Sequence, residues 1–418
     1  MFSTRMQVNL WKIYIVLEII NYQIVTILCN DFIVLKLLRD ALLMLIFAVS
    51  FSKGKIKPTK IYLGILVWSI FIGLAVLRTD SLTVSLTYLR KYLSPVIFLI
   101  SIFNTDIVDE KVYTGLLKFL LNVFFVFSIW GIFQAFILGP SFLIKLGYPT
   151  KFSNVYKTTA LKDSFYFGNL GIQRVVGTLS NANVCAGILG VTLIAIVFNY
   201  KKEITSKWEY GKLICVALGY LLTFSRANFL ALIIVAIIIM WKYIPKKTLI
   251  VFAGILMLGC FVVLYFIQDD SGITHKLVNW VVNSLQFKES SAAGRAGIWG
   301  LAVQGIKENP FGMGFGYTGT GVPGHVTGKL YSCENSYFAM ALDLGIFGLV
   351  SFAIYIGTVC AEAIKYRANK TQFKQLATIL IYVAITYMFS NHIYDRELNM
   401  VLVLIVGTTI TMMRKVRA

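Results

Sequence analysis

Residues Ser291 to Asn335 read SAAGRAGIWGLAVQGIKENPFGMGFGYTGTGVPGHVTGKLYSCEN, with glycine at 294, 297, 300, 305, 312, 314, 316, 319, 321, 324 and 328. Backbone this irregular cannot lie in hydrocarbon, where unpaired amides and carbonyls find no water to satisfy them. The stretch is therefore a watered excursion between two membrane spans. Long glycine-rich excursions on rigid scaffolds are where function concentrates. On either side the chain turns apolar and stays so for most of its length.

The chain has 418 residues, 58% of them hydrophobic and only 14% charged, with a mean hydropathy of +0.76. A soluble domain of this size does not carry that composition, so the expectation is an all-α polytopic integral membrane protein. Windows of about 20 apolar residues fall near 10–29, 32–52, 61–77, 85–103, 115–138, 182–199, 211–225, 227–243, 248–267, 335–363, 375–391 and 398–413. That makes about twelve transmembrane helices in a single domain covering 1–418, without internal repeat or soluble module. The first apolar run has no small-residue cleavage site after it and reads as a retained span. Six cysteines, at 29, 185, 215, 260, 333 and 360, stand singly and mainly in apolar segments, which indicates neither a disulfide framework nor a metal site. The net charge of +20 falls in short clusters between apolar runs. That is a topology signal, not the continuous basic face that nucleic acid requires.

The clusters set the orientation. Lys53, Lys55, Lys57 and Lys60 follow the second span, Lys201, Lys202, Lys207 and Lys212 the sixth, and Lys242, Lys246 and Lys247 the eighth. Lys365, Arg367, Lys370 and Lys374 follow the tenth span, and Arg414, Lys415 and Arg417 the twelfth. All lie on one side of an even-numbered arrangement, which the positive-inside rule makes cytoplasmic, with both termini. Two long loops then lie outside, 139–181 and 268–334. The first is basic, with Lys145, Lys151, Lys157, Lys162 and Arg174 against Asp163. The second opens with Ile273, Leu277, Val281 and Leu285 at four-residue spacing, which predicts an amphipathic surface helix. A further helix is predicted from near Gly294 to Asn309, where Pro310 stops it.

Several polar residues on this outer side have the chemistry of a site. Arg174, in QRVVGTLSNAN, precedes the sixth span; a solvated loop arginine needs no function, but this one adds to a set. Arg226, in LLTFSRANFLAL, sits in a turn too short to form a loop, where a guanidinium needs a partner, an anion or the headgroups. Arg295 and Trp299 are four apart and share a helical face, either stacked on each other or with the arginine turned to an anion. The GMGFG run at 312–316 follows Asn-Pro, not a strand, so it is no nucleotide loop; its glycines let backbone approach something closely. His325 and Glu334 are the proton-transfer candidates beside it. Glu334 precedes Asn335 at a helix start, where the dipole favours a charged carboxylate whether or not it serves as a base. His392, Asp395 and Arg396 in SNHIYDREL stand as supporting residues, while Asp343 and Glu362 need partners inside the membrane.

Together RVVGTLSNAN (174–183), TFSRANFLA (223–231), GRAGIW (294–299), ENPFGMGFG (308–316) and SCENSYFAMALDLGIFGL (332–349) resemble the bacterial O-antigen polymerase (Wzy) and O-antigen ligase superfamily. The resemblance implies a metal-independent, cofactor-free inverting glycosyltransferase of the bacterial inner membrane. Its substrate would be an undecaprenyl-diphosphate-linked oligosaccharide, used on the periplasmic face among membrane lipids, with a chain-length-determinant protein as a candidate partner. By the same resemblance Arg174, Arg226 and Arg295 fall on the superfamily's arginines and bind the diphosphate; the residues themselves offer Glu334, or else His325, to take the acceptor proton, with Asn335, Tyr394 and Arg396 in support. Ligases of the superfamily carry histidine where this chain has Glu334, so the polymerase branch is favoured over a ligase that delivers glycan to lipid A–core. A flippase for the same lipid is the rival of another class; it would show intramembrane charges along a path and broken helices in corresponding halves.

Overall fold

The computed structural model describes residues 4–29, 33–51, 59–105, 107–153, 158–162, 165–167, 172–199, 206–240, 290–318 and 333–417. The helices in chain order are α1 (Thr4–Asn21), α2 (Ile33–Phe51), α3 (Lys60–Leu77), α4 (Leu82–Phe103), α5 (Glu110–Phe133), α6 (Gly139–Lys145) and α7 (Ala182–Phe198). They continue with α8 (Lys207–Leu221), α9 (Arg226–Met240), α10 (Ser290–Glu308), α11 (Ser336–Lys365), α12 (Lys370–Met388) and α13 (Arg396–Arg417). α1 and α5 each run on into a π-helical turn, Tyr22–Leu28 and Gln134–Leu138.

Eleven of the twelve predicted spans are helical. The ninth, 248–267, lies outside the described residues, as does the amphipathic stretch at 273–285. Six stretches are long and apolar enough to cross a membrane: Thr4–Leu28, Lys60–Leu77, Leu82–Phe103, Glu110–Lys145, Ser336–Lys365 and Arg396–Val416. The chain is thus a multi-pass helical membrane protein, with fewer qualifying spans among the described residues than the expected twelve. α2 carries Lys36, Arg39 and Asp40, and α7 and α9 are apolar but shorter. The predicted loop at 139–181 holds α6 and two small antiparallel hairpins, β1 (Thr150–Ser153) with β2 (Thr158–Leu161) and β3 (Tyr166–Phe167) with β4 (Ile172–Gln173). Its threonine-rich, aromatic sequence has no 3.6-residue period and suits short strands better than coil.

Helices start where a side chain serves an orphan amide. Asp109 Oδ1 accepts from Val112 N at 2.8 Å before α5, and Asn181 Oδ1 from Asn183 N and Val184 N at 2.8 and 2.9 Å before α7. Ser206 and Glu209 form a reciprocal capping box on α8. α7 is buried almost throughout and is packed by α5, α8, α9, α12 and α13. α11 lies along α3, with Trp68 stacked on Tyr355 at 5.2 Å.

The two ends of the bundle differ. At one, Glu362 accepts from Arg414 at 3.1 Å and Glu209 pairs with Lys118 at 3.6 Å. The other gathers the 78–81 turn, residues 172–176, the 222–225 turn, residues 310–318 and 333–335, and the 389–395 turn. Arg174, Arg226 and Glu334 are all at this second end.

Candidate functional site

The turn between α8 and α9 is held by a network centred on Asn183 and Asn228. Arg174, 8% exposed, donates from Nε to Thr223 O at 2.8 Å and from a terminal nitrogen to Asn183 Oδ1 at 2.9 Å. Ser225 Oγ donates to the same Asn183 oxygen at 2.9 Å and accepts from Asn228 Nδ2 at 2.9 Å. Tyr382 on α12 donates to Asn228 Oδ1 at 2.8 Å, and Tyr220 to Asn228 O at 2.6 Å. Inside the turn Phe224 has φ +49°, a left-handed conformation that costs a side-chain-bearing residue about 1–2 kcal/mol. The network holds that strain and sets where α9 begins, with Arg226 half-buried at its first position.

The start of α11 is stapled to the turn after α12. Asn335 Oδ1 caps the helix by accepting from Tyr337 N and Phe338 N at 2.9 and 3.1 Å. Its own amide donates to Asn391 Oδ1 at 3.0 Å. Ser336 Oγ donates to Ser390 O at 2.7 Å and accepts from Ile393 N at 3.2 Å. Glu334 is thereby fixed in backbone but exposed in side chain. Its neighbour Cys333 is buried, and burial pushes that thiol up to about 12, so it stays neutral.

The GMGFG stretch makes the close approach that its glycines foretell. α11 breaks at Gly345, where φ is +81°. Across the break Met313 N donates to Leu342 O at 2.7 Å, Gly314 N to Asp343 O at 3.2 Å, and Ile346 N to Pro310 O at 2.9 Å. The amides and carbonyls freed by the break are served by this second strand of chain. A Cβ on Gly345 would meet the Phe311 carbonyl carbon at 2.4 Å, and one on Gly314 would meet the Arg78 backbone at 2.9 Å. On its other side the stretch is tied to the α3–α4 turn. Thr79 Oγ1 accepts from Phe315 N at 2.8 Å, Arg78 donates to Phe311 O, and Tyr317 donates to Asp80 Oδ2 at 2.8 Å. Burial, then Asp80, raises the Tyr317 phenol above its ordinary range, so it remains the donor.

Asp343, fully buried just before the break, is served at one oxygen, where Tyr394 and Tyr92 donate to Oδ2 at 2.6 and 3.2 Å, while Oδ1 has no hydrogen-bond partner among the described residues. Tyr394 also contacts Thr318 at 3.3 Å, linking the glycine-rich stretch to the last turn. Arg396 instead faces the bundle. It forms an ion pair with Glu18 at 2.9 Å and donates to Asp40 at 2.8 Å and to the Tyr14 hydroxyl at 2.8 Å, tying α1, α2 and α13 together. His392 pairs with Asp395 at 2.7 Å and is buried.

Arg295 lies on α10 as predicted, on a helix running Ser290–Glu308; its side chain is outside the described residues, and so is His325. Trp299, four residues on, packs edge-on against Phe338 of α11 at 6.0 Å and tilted against Phe389 at 6.1 Å. α10 is therefore docked where α11 starts and α12 ends. α9 packs along α12 as well. The helix bearing Arg295 and the junction bearing Glu334 thus meet at the end of α12, and the helix begun by Arg226 is tied to α12 further along, at Tyr382. Beneath them, between α3, α4, α11, α12 and α13, is a cavity of about 120 Å³ lined by Trp68, Lys91, Tyr337, Tyr355, Tyr387 and Asn399, among others. Sequence reading missed Asn228, Thr79 and Tyr382; Asn228 stands two residues after Arg226 in SRAN, while the other two give no local signal.

The fold and site define a multi-pass helical membrane protein with a polar, arginine-bearing cluster at one end of the bundle. Residues 212–353 match the Wzy_C family model, described as O-antigen ligase, so this third of the chain carries that family's pattern, consistent with the O-antigen ligase/polymerase superfamily. The matched segment contains Arg226, Arg295, GMGFG and Glu334. No curated protein matches the chain.

Proposed function

We propose that this protein polymerises a surface polysaccharide, joining undecaprenyl-diphosphate-linked repeat units by inverting glycosyl transfer on the periplasmic face of the bacterial inner membrane. The reading includes the twelve-span arrangement with cytoplasmic termini and periplasmic loops at 139–181 and 268–334. The acceptor hydroxyl oxygen attacks the anomeric carbon, a new C–O bond forms, and the bond from that carbon to phosphate breaks. The acceptor proton goes to Glu334, or in the alternative to His325, and undecaprenyl diphosphate leaves. Arg226 and Arg295 neutralise charge growing on the bridging oxygen, which makes a metal unnecessary in this scheme. Arg174 contributes to the diphosphate site from behind the Ser225–Arg226 turn. In this reading a chain-length-determinant protein is the enzyme's companion.

The observation carrying the reading is that the Arg226 helix, the Arg295 helix and the Glu334 junction all pack against α12 or the turn that follows it, and all three belong to a segment matching the O-antigen ligase model. The family description itself favours a second reading, a ligase moving finished glycan to lipid A–core. A flippase asks for broken helices in corresponding halves; among the described residues α11 alone has a non-helical break.

Deletion of the protein separates these readings. A polymerase leaves single lipid-linked repeat units and abolishes the glycan ladder. A ligase leaves finished polymer on undecaprenyl diphosphate. If periplasmic lipid-linked glycan is unchanged in both amount and length, the glycosyl-transfer reading is wrong.

A further inference from the structure

The transfer scheme leaves Asp343 without a part, yet an acid buried inside a helix long enough to cross the membrane is costly, and such residues mark function by default. The break in α11 does not require its side chain. The bond to Gly314 is made by the Asp343 backbone carbonyl, which any residue would supply. The carboxyl group has another target: Oδ2 accepts from Tyr394 at 2.6 Å and from Tyr92 at 3.2 Å, joining α11 to α4 and to the turn of residues 392–394.

That turn is where the candidate site is assembled. Asn391 Oδ1 accepts from the Asn335 amide, and Ser336 Oγ donates to Ser390 O and accepts from Ile393 N, at the junction that carries Glu334. Phe389, at the head of the turn, packs on Trp299, four residues along α10 from Arg295. Ser336 and Asp343 are seven apart and share a face of α11, so the turn is pinned to this helix twice, at its start and two turns further in. With the first pin alone the turn would be free to pivot, carrying the Glu334 junction and the Trp299 contact with it. Tyr394 also meets Thr318 at 3.3 Å, and its ring stands edge-on to Tyr88 at 5.1 Å, on which Phe315 stacks at 5.4 Å. The second pin therefore reaches the glycine-rich stretch as well.

We infer that Asp343 is a positioning residue for glycosyl transfer: through Tyr394 it fixes the 389–394 turn, and with it the placing of Glu334 relative to the Arg295 helix. This rests on the glycosyl-transfer reading above. Asp343 is fully buried and acts through its neighbours, not on substrate. Its contribution is geometric, and a displacement of about 1 Å among reacting groups can cost about a hundredfold in rate.

The test uses the full-length protein in micelles with the lipid-linked glycan extracted from cells lacking this protein, and follows polymer formation against substrate concentration. Asp343→Leu, branched at the same carbon but without an acceptor, should lower kcat at least about tenfold and leave KM within about threefold, the pattern of a group that matters to the transition state and not to substrate binding. Asp343→Asn keeps an acceptor for Tyr394 and should hold kcat within about threefold of wild type. Tyr113→Phe removes a buried hydroxyl from the Gln375 network at the other end of the bundle; it controls for destabilisation alone and should keep kcat. If Asp343→Leu does not fold, Tyr394→Phe, which keeps the ring and loses the bond, carries the same comparison. Unchanged kcat in the folded variant overturns the role. So does a loss carried by KM, a loss in Asp343→Asn equal to that in the leucine variant, or an equal loss in Tyr113→Phe. In each of these cases wild type polymerises and the enzyme reading stands. If wild type makes no polymer, the polymerase reading fails and the positioning role with it.

Discussion

Replacing Arg174 by lysine separates an arginine that builds the site from one that touches substrate. Arg174 is 8% exposed and divides its fork between Thr223 O at 2.8 Å and Asn183 Oδ1 at 2.9 Å. Lysine has one ammonium at the end of a flexible stem and can keep at most one of these bonds. A buried acceptor left unserved costs about 1–3 kcal/mol, toward the upper end when a charged donor is lost. The turn it supports already holds Phe224 at φ +49°, so relaxation is the easier outcome. Arg174→Lys should therefore lower unfolding stability by about 2–3 kcal/mol. Arg226→Lys, at a half-buried helix start, should cost less than about 1 kcal/mol while abolishing most glycan product. The assay is the unfolding midpoint of each purified variant in one detergent, beside the length distribution of surface glycan in cells expressing it. If Arg174→Lys unfolds like wild type yet makes no product, its guanidinium acts on substrate and the turn does not depend on it. If Arg226→Lys is fully active, the arginine clamp is wrong.

Further outcomes follow from the same geometry. Glu334→Gln should lower turnover about a hundredfold or more, the usual range for one general base, with normal membrane insertion, while His325→Ala is milder; the opposite pattern in a ladder assay exchanges their roles, and two active variants exclude both. Gly345→Ala should lose at least about 3 kcal/mol of stability, combining left-handed strain with overpacking on Phe311; an unaltered midpoint would mean that α11 is not broken there. In a background without native cysteines, Ser290→Cys should react with an impermeant reagent in intact cells and Ser206→Cys should not; labelling of Ser206→Cys inverts the topology.

The helices were legible because apolar composition over about 20 residues needs no knowledge of partners. Asn335 as a cap and Asn309-Pro310 as a stop follow from neighbouring residues alone, and both were readable. The glycines of 312–316 announced a close approach without naming what is approached. Their counterparts, Leu342 to Ile346 and Arg78 to Thr79, lie far along the chain, and hydrogen bonds between irregular backbones leave no periodic trace. The partners of Arg396 were hidden for a related reason. It adjoins the site in sequence, but its charge is claimed by Glu18 and Asp40, and nothing local records a pairing across 356 residues. The hairpins of 150–173 were hidden by their shortness, since strands of two to four residues barely establish an alternation.

The stitching of 310–314 to the gap in α11 has a consequence for how length may vary here. Surface connections ordinarily accept an added or missing residue, because nothing beyond them counts positions. Between Asn309 and Phe315 every position is counted. Pro310 O meets Ile346, Met313 N meets Leu342, Gly314 N meets Asp343, and Phe315 N meets Thr79. One extra residue would leave at least one of these pairs out of step and uncover backbone groups freed by the break in α11. A stretch with the composition of a loop thus behaves, toward insertion and deletion, like the interior of a β-sheet.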